Sequence, residues 1–296
     1  MLKLVTYSIG TVILGAAVAW VLTEPRRADF EQINAVTPDL DRGAYVYTAG
    51  GCASCHAGAD GTAAALTGGM AFETGFGTFY APNISSDPIH GIGKWSAVNL
   101  ADAMLHGTSP EGEHYYPAFP YTSYAKMDPT DVVSLHAYLM TLPASDVPSK
   151  AHDVGFPFNI RRTLGGWKLL FGSSAGDWVV TDPNMTPEDL KGQYLVESLA
   201  HCGECHTPRN ALGGMDRARF LGGAPNPSGK GNIPNITPGT LTWSVEDIAY
   251  YLESGFTPEF DSAGGHMAHV VDNFAKLDAS DRMAVAGYLK RVAPVE

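Results

Sequence analysis

The pattern of apolar and polar positions begins with an apolar N-terminal run. Residues 4–22 carry no charged side chain, and a helix of that length spans roughly 28 Å, about one hydrocarbon core. We therefore expect residues 1–23 to form an N-terminal transmembrane helix, as a membrane anchor or uncleaved signal. A cleaved signal peptide is the competing interpretation, since Ala17-Val18-Ala19 offers a small-residue cleavage pattern.

The remainder of the chain repeats itself at a separation of about 150 residues. The apolar positions of residues 131–139 recur at helical spacing in residues 281–289, and Pro82-Asn83-Ile84 recurs as Pro234-Asn235-Ile236. Such a register predicts two tandem, mainly α-helical domains. We expect a linker over residues 24–36, a first domain over 37–144, a packed inter-domain strap over 145–185 and a second domain over 186–296.

All four cysteines of the chain lie in two copies of the sequence C-x-x-C-H, at residues 52–56 and 202–206. In this signature the two cysteines bind one porphyrin and the histidine ligates its iron. A zinc site would need the four thiolates to meet, and a disulfide framework is typical of shorter, cysteine-dense chains. A thioredoxin-like redox site is a further alternative. The motifs predict two c-type haems, attached at Cys52, Cys55, Cys202 and Cys205, with His56 and His206 as iron ligands.

The sixth ligand of each iron is less well defined. A haem that carries electrons commonly holds methionine there. Met267 is the good candidate in the second domain, and Met127 is favoured in the first. The repeat matches Met127 with Leu277 and Met267 with Pro117, so we expect the two distal loops to differ. The alternatives are Met70, Met104, His106, His114, His266 and His269.

Composition and charge indicate a folded protein and argue against some classes of binding partner. Hydrophobic residues make up 45% and charged residues 17% of the chain, which is typical of a folded protein. The net charge of −12 and the lack of Lys/Arg runs argue against nucleic acid as a partner. An acidic surface can instead steer a basic redox partner.

Several further side chains are candidate haem contacts, with core or surface packing as the alternative for each. They are Asn83, Trp95, Tyr121, Arg161, Arg162, Asn235 and Trp243. Both arginines lie in the segment Phe156–Phe171, which is too apolar and aromatic for a flexible tether. We expect this segment to pack as part of the strap, with a short amphipathic helix.

Five stretches together resemble the cytochrome c subunits of membrane-bound bacterial dehydrogenases. They are Tyr80–Ser85, Gly91–Ser96, Tyr116–Tyr121, Phe156–Phe171 and His201–Asn210. This family supplies the electron-accepting subunits of alcohol, gluconate, fructose and aldehyde dehydrogenase complexes. The resemblance implies tandem class I cytochrome c domains, in which the first and last helices cross closely. It also implies that Met127 and Met267 are the distal ligands.

The crossing predicts contacts of Gly43 with Tyr138 and of Gly192 with Tyr288, because a small residue admits a large one. The resemblance further implies an electron-transfer subunit without chemistry of its own. We expect it in the inner membrane, with its haem domains facing the periplasm.

The partners implied are a catalytic dehydrogenase subunit, possibly joined by a further small subunit, and a downstream cytochrome c, oxidase or quinone. Many family members carry three haems and a C-terminal anchor, so the two motifs here favour a cytochrome or oxidase over direct quinone reduction. Two alternatives stay open. One is a haem subunit of a terminal oxidase or quinol-oxidising complex, and the other is a dihaem peroxidase, which needs an open sixth position.

Overall fold

The computed structural model describes residues 14–15, 17–58, 65–227 and 231–296, and their regular structure is mainly helical, as the sequence predicts. The N-terminal part contains α1 (residues 17–22), α2 (Phe30–Asn34), α3 (Leu40–Ala49), α4 (Cys52–His56), β1 (Ala71–Thr74), β2 (Gly77–Tyr80), α5 (Ala97–His106), α6 (Tyr121–Tyr124) and α7 (Pro129–Leu139). Next come β3 (Asp153–Val154), a 3-10 turn (Arg161–Thr163), α8 (Leu164–Trp167) and a π-helical turn (Lys168–Gly172). The C-terminal part contains α9 (Pro187–Tyr194) with a π-helical continuation (Leu195–Leu199), α10 (Gly203–His206), a 3-10 turn (Arg217–Arg219), β4 (Ala224–Pro225), β5 (Asn232–Ile233), α11 (Val245–Ser254), α12 (His266–Phe274) and α13 (Ala279–Leu289).

We call residues 37–144 the first unit and residues 186–296 the second unit. The order of helices α3 to α7 in the first unit recurs as α9 to α13 in the second. In the first unit β1 and β2 form a small antiparallel sheet that β3 of the following segment extends, in the order β1-β2-β3, and β4 pairs with β5 in the second unit. One continuous apolar core runs through both units, with Val132 and Val196 each fully buried in it.

Local sequence signals fix the ends of the repeated helices. Ser96 and Ser244 each form a capping box at the start of α5 and α11, satisfying backbone N–H groups that the first turn leaves free. Both helices end at a glycine in the left-handed region, Gly107 and Gly255. These matched start and stop signals set the same helix length in both units.

In each unit the first and last helices cross at a glycine, which confirms the predicted contacts. A Cβ on Gly43 would lie 2.7 Å from the Tyr138 Cβ and 2.2 Å from the Ser134 carbonyl oxygen. A Cβ on Gly192 would lie 2.7 Å from the Tyr288 Cβ and 2.1 Å from the Ala284 carbonyl oxygen. Only a residue without a side chain permits this backbone approach.

The segment between the units contacts both of them. Phe158 packs edge-on against Phe76 of the first unit, with ring centroids 5.0 Å apart. The Trp167 indole N–H donates to the Leu212 carbonyl oxygen at 2.9 Å, in the second unit. The segment therefore packs on both sides and contains the short helix α8.

The N-terminal end of the described chain is fastened to the same segment. Residues 17–22 are helical, and the Arg162 guanidinium donates to the Trp20 and Thr23 carbonyl oxygens, with the Thr23 bond at 2.5 Å. The expected membrane span lies largely in residues 1–13 and 16, outside the described residues. Among the described residues, no helix is long and apolar enough to cross a membrane.

Candidate haem-attachment sites

Each C-x-x-C-H sequence forms a single helical turn directly after the first helix of its unit. A left-handed residue introduces each turn: Gly51 with φ +61° before α4, and His201 with φ +41° shortly before α10. Burial raises the pKa of the first thiol of each motif, Cys52 and Cys202, to about 12. Thioredoxin-like cysteines need a lowered pKa to react as thiolates, so this environment argues against that alternative.

The two motif histidines are oriented by the same hydrogen bond. His56 Nδ1 lies 2.8 Å from the Pro82 carbonyl oxygen, and His206 Nδ1 lies 2.8 Å from the Pro234 carbonyl oxygen. Because a carbonyl oxygen only accepts, Nδ1 carries the proton in each ring and Nε2 is left with a lone pair. Burial lowers the pKa of both imidazoles, which keeps them neutral. Both residues thus fit the role of proximal iron ligand.

The attachment turn of each unit contacts the other unit. Ser54, inside the first motif, accepts a hydrogen bond from the Asn273 side-chain amide at 2.9 Å. Glu204, inside the second motif, accepts one from the Ser123 hydroxyl at 2.7 Å. Ser54 and Glu204 are 150 residues apart, as are Ser123 and Asn273. The contacts are therefore reciprocal, as across a two-fold axis.

This arrangement places the two motifs side by side. Burial and, after it, the nearby Cys205 raise the pKa of the Cys55 thiol to about 11. The Tyr124 ring of the first unit packs edge-on against His201 of the second, with centroids 5.4 Å apart. Groups attached at the two motifs would be close neighbours.

The distal candidates Met127 and Met267 lie in unlike places. Met267 is half-buried in the first turn of α12 and packs against the core. Met127 is 5% exposed just before α7. Its N–H donates to the Tyr124 carbonyl oxygen at 2.8 Å, as the Leu277 N–H donates to Phe274 at 3.1 Å. Met127 therefore occupies the position that a core leucine takes in the second unit.

The distal loops differ in length between the two units, as the sequence predicts. Tyr115 N–H donates to Gly107 at 2.8 Å and Ala263 N–H to Gly255 at 2.7 Å, which fixes a separation of 148 residues in this loop. The separation is again 150 where Ala125 N–H donates to Tyr121 and Ala275 N–H donates to Val271. The second unit therefore holds two more residues between positions 263 and 271, in the stretch that contains Met267.

Tyr121, a predicted haem contact, carries a buried hydroxyl with no hydrogen-bond partner among the described residues. Its ring fills the space beside Gly107, where a Cβ would lie 2.5 Å from it. Buried hydroxyls normally find a partner. An external acceptor such as a haem propionate fits this position.

The other predicted contacts have partners within the protein. Asn83 donates to the Ser145 and Val147 carbonyl oxygens at 2.9 and 2.8 Å, and Asn235 donates to Val295 at 2.7 Å. These two asparagines fasten the chain that follows the last helix of each unit. Both side-chain amides are thus held by backbone carbonyls, and their contact with haem stays a prediction.

The two tryptophans and two arginines are likewise engaged. Trp95 and Trp243 are half-buried against the core, the latter 5.4 Å from the Tyr251 ring. Arg161 donates to the His114 carbonyl oxygen at 3.3 Å, and Arg162 clamps α1. Both guanidinium groups are directed at backbone carbonyls in this structure.

Comparison with known proteins agrees with the geometry. Residues 40–143 match the family "Cytochrome c". The chain is 55% identical over 288 residues to a protein named "Diheme cytochrome c-type" from Cereibacter sphaeroides, covering 96% of each.

Two other relatives are larger than this chain. It is 37% identical to the "Fructose dehydrogenase cytochrome subunit" of Gluconobacter japonicus, covering 91% of this chain and 55% of that protein. It is 33% identical to the "Gluconate 2-dehydrogenase cytochrome c subunit" of Pantoea cypripedii, covering 85% of this chain and 59% of that protein. The chain thus spans a little over half the length of these two relatives.

Proposed function

We propose, because this chain belongs to the c-type cytochrome family of the Cereibacter diheme protein and of bacterial dehydrogenase cytochrome subunits, that it is a dihaem electron relay. In this proposal it passes electrons from a partner dehydrogenase subunit to a downstream cytochrome, oxidase or quinone. The covalent c-type haems supply the one-electron chemistry. The chain itself holds, orients and encloses them.

The side-by-side placement of α4 and α10 supports the relay most directly. Ser54–Asn273 and Glu204–Ser123 tie each attachment turn to the opposite unit, at 2.9 and 2.7 Å. Two sites held this way keep a fixed separation, which a transfer step between them requires. We therefore interpret residues 37–144 and 186–296 as two tandem class I cytochrome c domains with one haem each.

The residues that fit iron follow from the same geometry. His56 and His206 are the proposed proximal ligands, each with Nδ1 held by a proline carbonyl. Met127 and Met267 are the proposed distal ligands. Tyr121 is the proposed donor to a haem propionate, because its buried hydroxyl has no partner in the described part of the protein.

We also propose that residues 1–23 anchor the protein in the inner membrane, with both haem domains on the periplasmic side. The uncharged run over residues 4–22 supports this placement. In the described part of that run, Leu14, Val21 and Leu22 are 60–67% exposed. Large exposed apolar side chains fit a lipid environment.

The experiment that tests the relay uses detergent-solubilised membranes containing the full chain. We expect two covalent haems per chain by mass and by haem spectroscopy, and co-purification with a flavin- or quinone-type dehydrogenase whose substrate reduces both haems. Cys202→Ala/Cys205→Ala removes both covalent links to the second haem, and Cys52→Ala/Cys55→Ala, the matched variant, removes both links to the first. A single haem in the unaltered chain, or substrate that leaves both haems oxidised, contradicts the proposal.

A further inference from the structure

The turn Phe256–Ser262, which precedes helix α12 of the second unit, carries an exposed aromatic residue in an unfavourable backbone conformation. Phe260 has φ +67° and is 96% exposed. The left-handed region is disfavoured for a bulky residue with a Cβ atom. The side chain therefore gains no packing energy to offset its conformation within the described protein.

The first unit builds the same turn with glycine. Gly112, 148 residues before Phe260, has φ +82°. In both turns that residue donates its N–H to the residue three positions earlier, at 2.9 Å to Ser109 and 3.0 Å to Thr257. The turns close with matching bonds between residues 109 and 113 at 2.8 Å and between residues 257 and 261 at 2.9 Å. The turn therefore forms with glycine, and its backbone does not require an aromatic side chain at this position.

The two turns differ in what surrounds them. In the first unit the Arg27 guanidinium donates to the Pro110 carbonyl oxygen at 3.2 Å and would lie 3.3 Å from a Cβ on Gly112. In the second unit Phe260 projects into solvent, and Phe256 at the base of the turn is 54% exposed. Two aromatic side chains are therefore presented outward on a hydrogen-bonded turn.

The charged side chains of the segment that contains this turn are all acidic. Residues 244–275 contain six carboxylates and neither lysine nor arginine. Glu259 and Asp261, on either side of Phe260, are both exposed. The surface is an aromatic centre with an acidic rim.

We propose that the turn Phe256–Ser262 is a docking surface for a redox protein that presents an apolar patch ringed by lysine and arginine. Large aromatic side chains at the centre of an interface contribute most of its binding energy, and a charged rim speeds encounter. The chain runs from this turn directly to Met267, the proposed distal ligand of the second haem. The inference rests on the proposed relay and names the chemistry of one of its partners.

The test measures electron transfer from the reduced full-length protein, in detergent, to a basic class I cytochrome c with a lysine-ringed haem edge. Phe260→Gly is expected to lower the second-order rate constant about tenfold at low salt. Its melting temperature stays level or rises by about 2 °C, because glycine suits the left-handed conformation. The matched control is Ile89→Gly, at a 76% exposed residue of the first unit, which keeps the transfer rate.

The double variant Glu259→Gln/Asp261→Asn tests the acidic residues of the turn. It is expected to flatten the dependence of the transfer rate on salt.

Three results overturn the docking surface. One is a Phe260→Gly variant that transfers electrons at the unaltered rate, and another is equal loss in the Ile89→Gly control. The third is sedimentation that shows a dimer of the unaltered protein and a monomer of Phe260→Gly, since the occupant is then a second copy. If the unaltered, fully haem-loaded protein reduces neither this probe nor any other, the relay itself fails and the docking surface with it.

Discussion

The Tyr194 hydroxyl donates to the Asp131 carboxylate at 2.6 Å, joining the first helix of the second unit to the last helix of the first. The reverse contact also exists. Tyr45 of the first unit donates to Asp281 of the second at 3.0 Å. Both carboxylates are at most 3% exposed. The interface between the units, called the seam below, therefore contains the same tyrosine–aspartate hydrogen bond twice, once in each direction.

Each of these carboxylates also binds a cation of its own unit. Arg42 Nε lies 2.6 Å from Asp131, and Lys191 Nζ lies 2.6 Å from Asp281. A buried carboxylate needs such partners, because an unpaired buried charge is costly. Each aspartate thus binds the first helix of its own unit through the cation and the other unit through the tyrosine.

Removing one seam hydrogen bond should weaken the whole protein. We expect Tyr194→Phe to lower the free energy of unfolding by about 2 kcal/mol, since the bond to a charged, buried acceptor is lost while Arg42 keeps Asp131 paired. Tyr45→Phe should do the same at Asp281. The measurement is denaturant unfolding followed by circular dichroism.

Tyr250→Phe, at a 58% exposed tyrosine, is the control and should change stability by less than about 0.5 kcal/mol. Equal stability of all three variants and the unaltered protein would show that the seam bonds contribute nothing.

The helix crossings predict a sharper effect at glycine. Gly192→Ala places a Cβ 2.1 Å from the Ala284 carbonyl oxygen, so the helices must separate, and we expect a loss of about 3 kcal/mol or more in unfolding free energy. Gly287→Ala, in the partner helix α13 with no atom within 4 Å of its Cβ, should instead stabilise by about 0.5–1 kcal/mol. Thermal unfolding of the two variants measures the expected loss of stability in Gly192→Ala and the expected gain in Gly287→Ala. A Gly192→Ala variant as stable as Gly287→Ala would contradict the crossing.

These crossings could be predicted because the sequence resembles a family in which the first and last helices cross, and Gly43 and Tyr138 lie on those helices. The C-x-x-C-H motifs and the repeat, in contrast, are visible in the sequence itself. The seam could not be predicted in this way. Ser54–Asn273 joins residues 219 positions apart, and no periodicity states which polar groups meet when two folded surfaces pack.

The distal loops escaped prediction for a different reason. Two extra residues in the second unit shift the register between residues 115 and 121, so no constant spacing aligns the loop that contains Met267 with the first unit. Arg161 and Arg162 illustrate the same limit, because a cation is equally suited to a propionate and to a backbone carbonyl. Tertiary packing decides between them.

Met267 and Met127 make separable spectroscopic predictions. Met267→Ala should keep its haem attached but lose one methionine-to-iron charge-transfer band and lower one reduction potential. Met127→Leu, which copies Leu277, should remove the second band if Met127 ligates iron. Near-infrared absorption of the oxidised protein measures both.

An unchanged spectrum of Met127→Leu would identify Met127 as a core residue. An unchanged spectrum of Met267→Ala would show that Met267 is not the distal ligand of the second haem.

Lys168 predicts a pH dependence of stability. Its ammonium donates to the His106 and Gly107 carbonyl oxygens at 2.6 and 2.7 Å, and burial, with Arg26 nearby, lowers its pKa from 10.5 to about 7. Between these values the unfolded chain binds a proton that the folded protein has released. Stability from this group therefore rises with pH from about 7 to 10.5.

We expect the stability difference between the unaltered protein and Lys168→Met to grow in favour of the unaltered protein over that range. Urea unfolding at about pH 7 and about pH 10 measures it, with Lys94→Met, at an exposed lysine, as control. A difference that is the same at both pH values, or that shrinks, would contradict the burial of this amine.

The most direct test of the relay is flash photoreduction of the oxidised full-length protein with less than one electron per chain. The account predicts that the electron redistributes between two haems in a phase whose rate is independent of protein concentration. That phase should vanish in Cys202→Ala/Cys205→Ala, which retains one haem. Redistribution at a rate proportional to protein concentration would mean that electrons pass between molecules, and would contradict the relay.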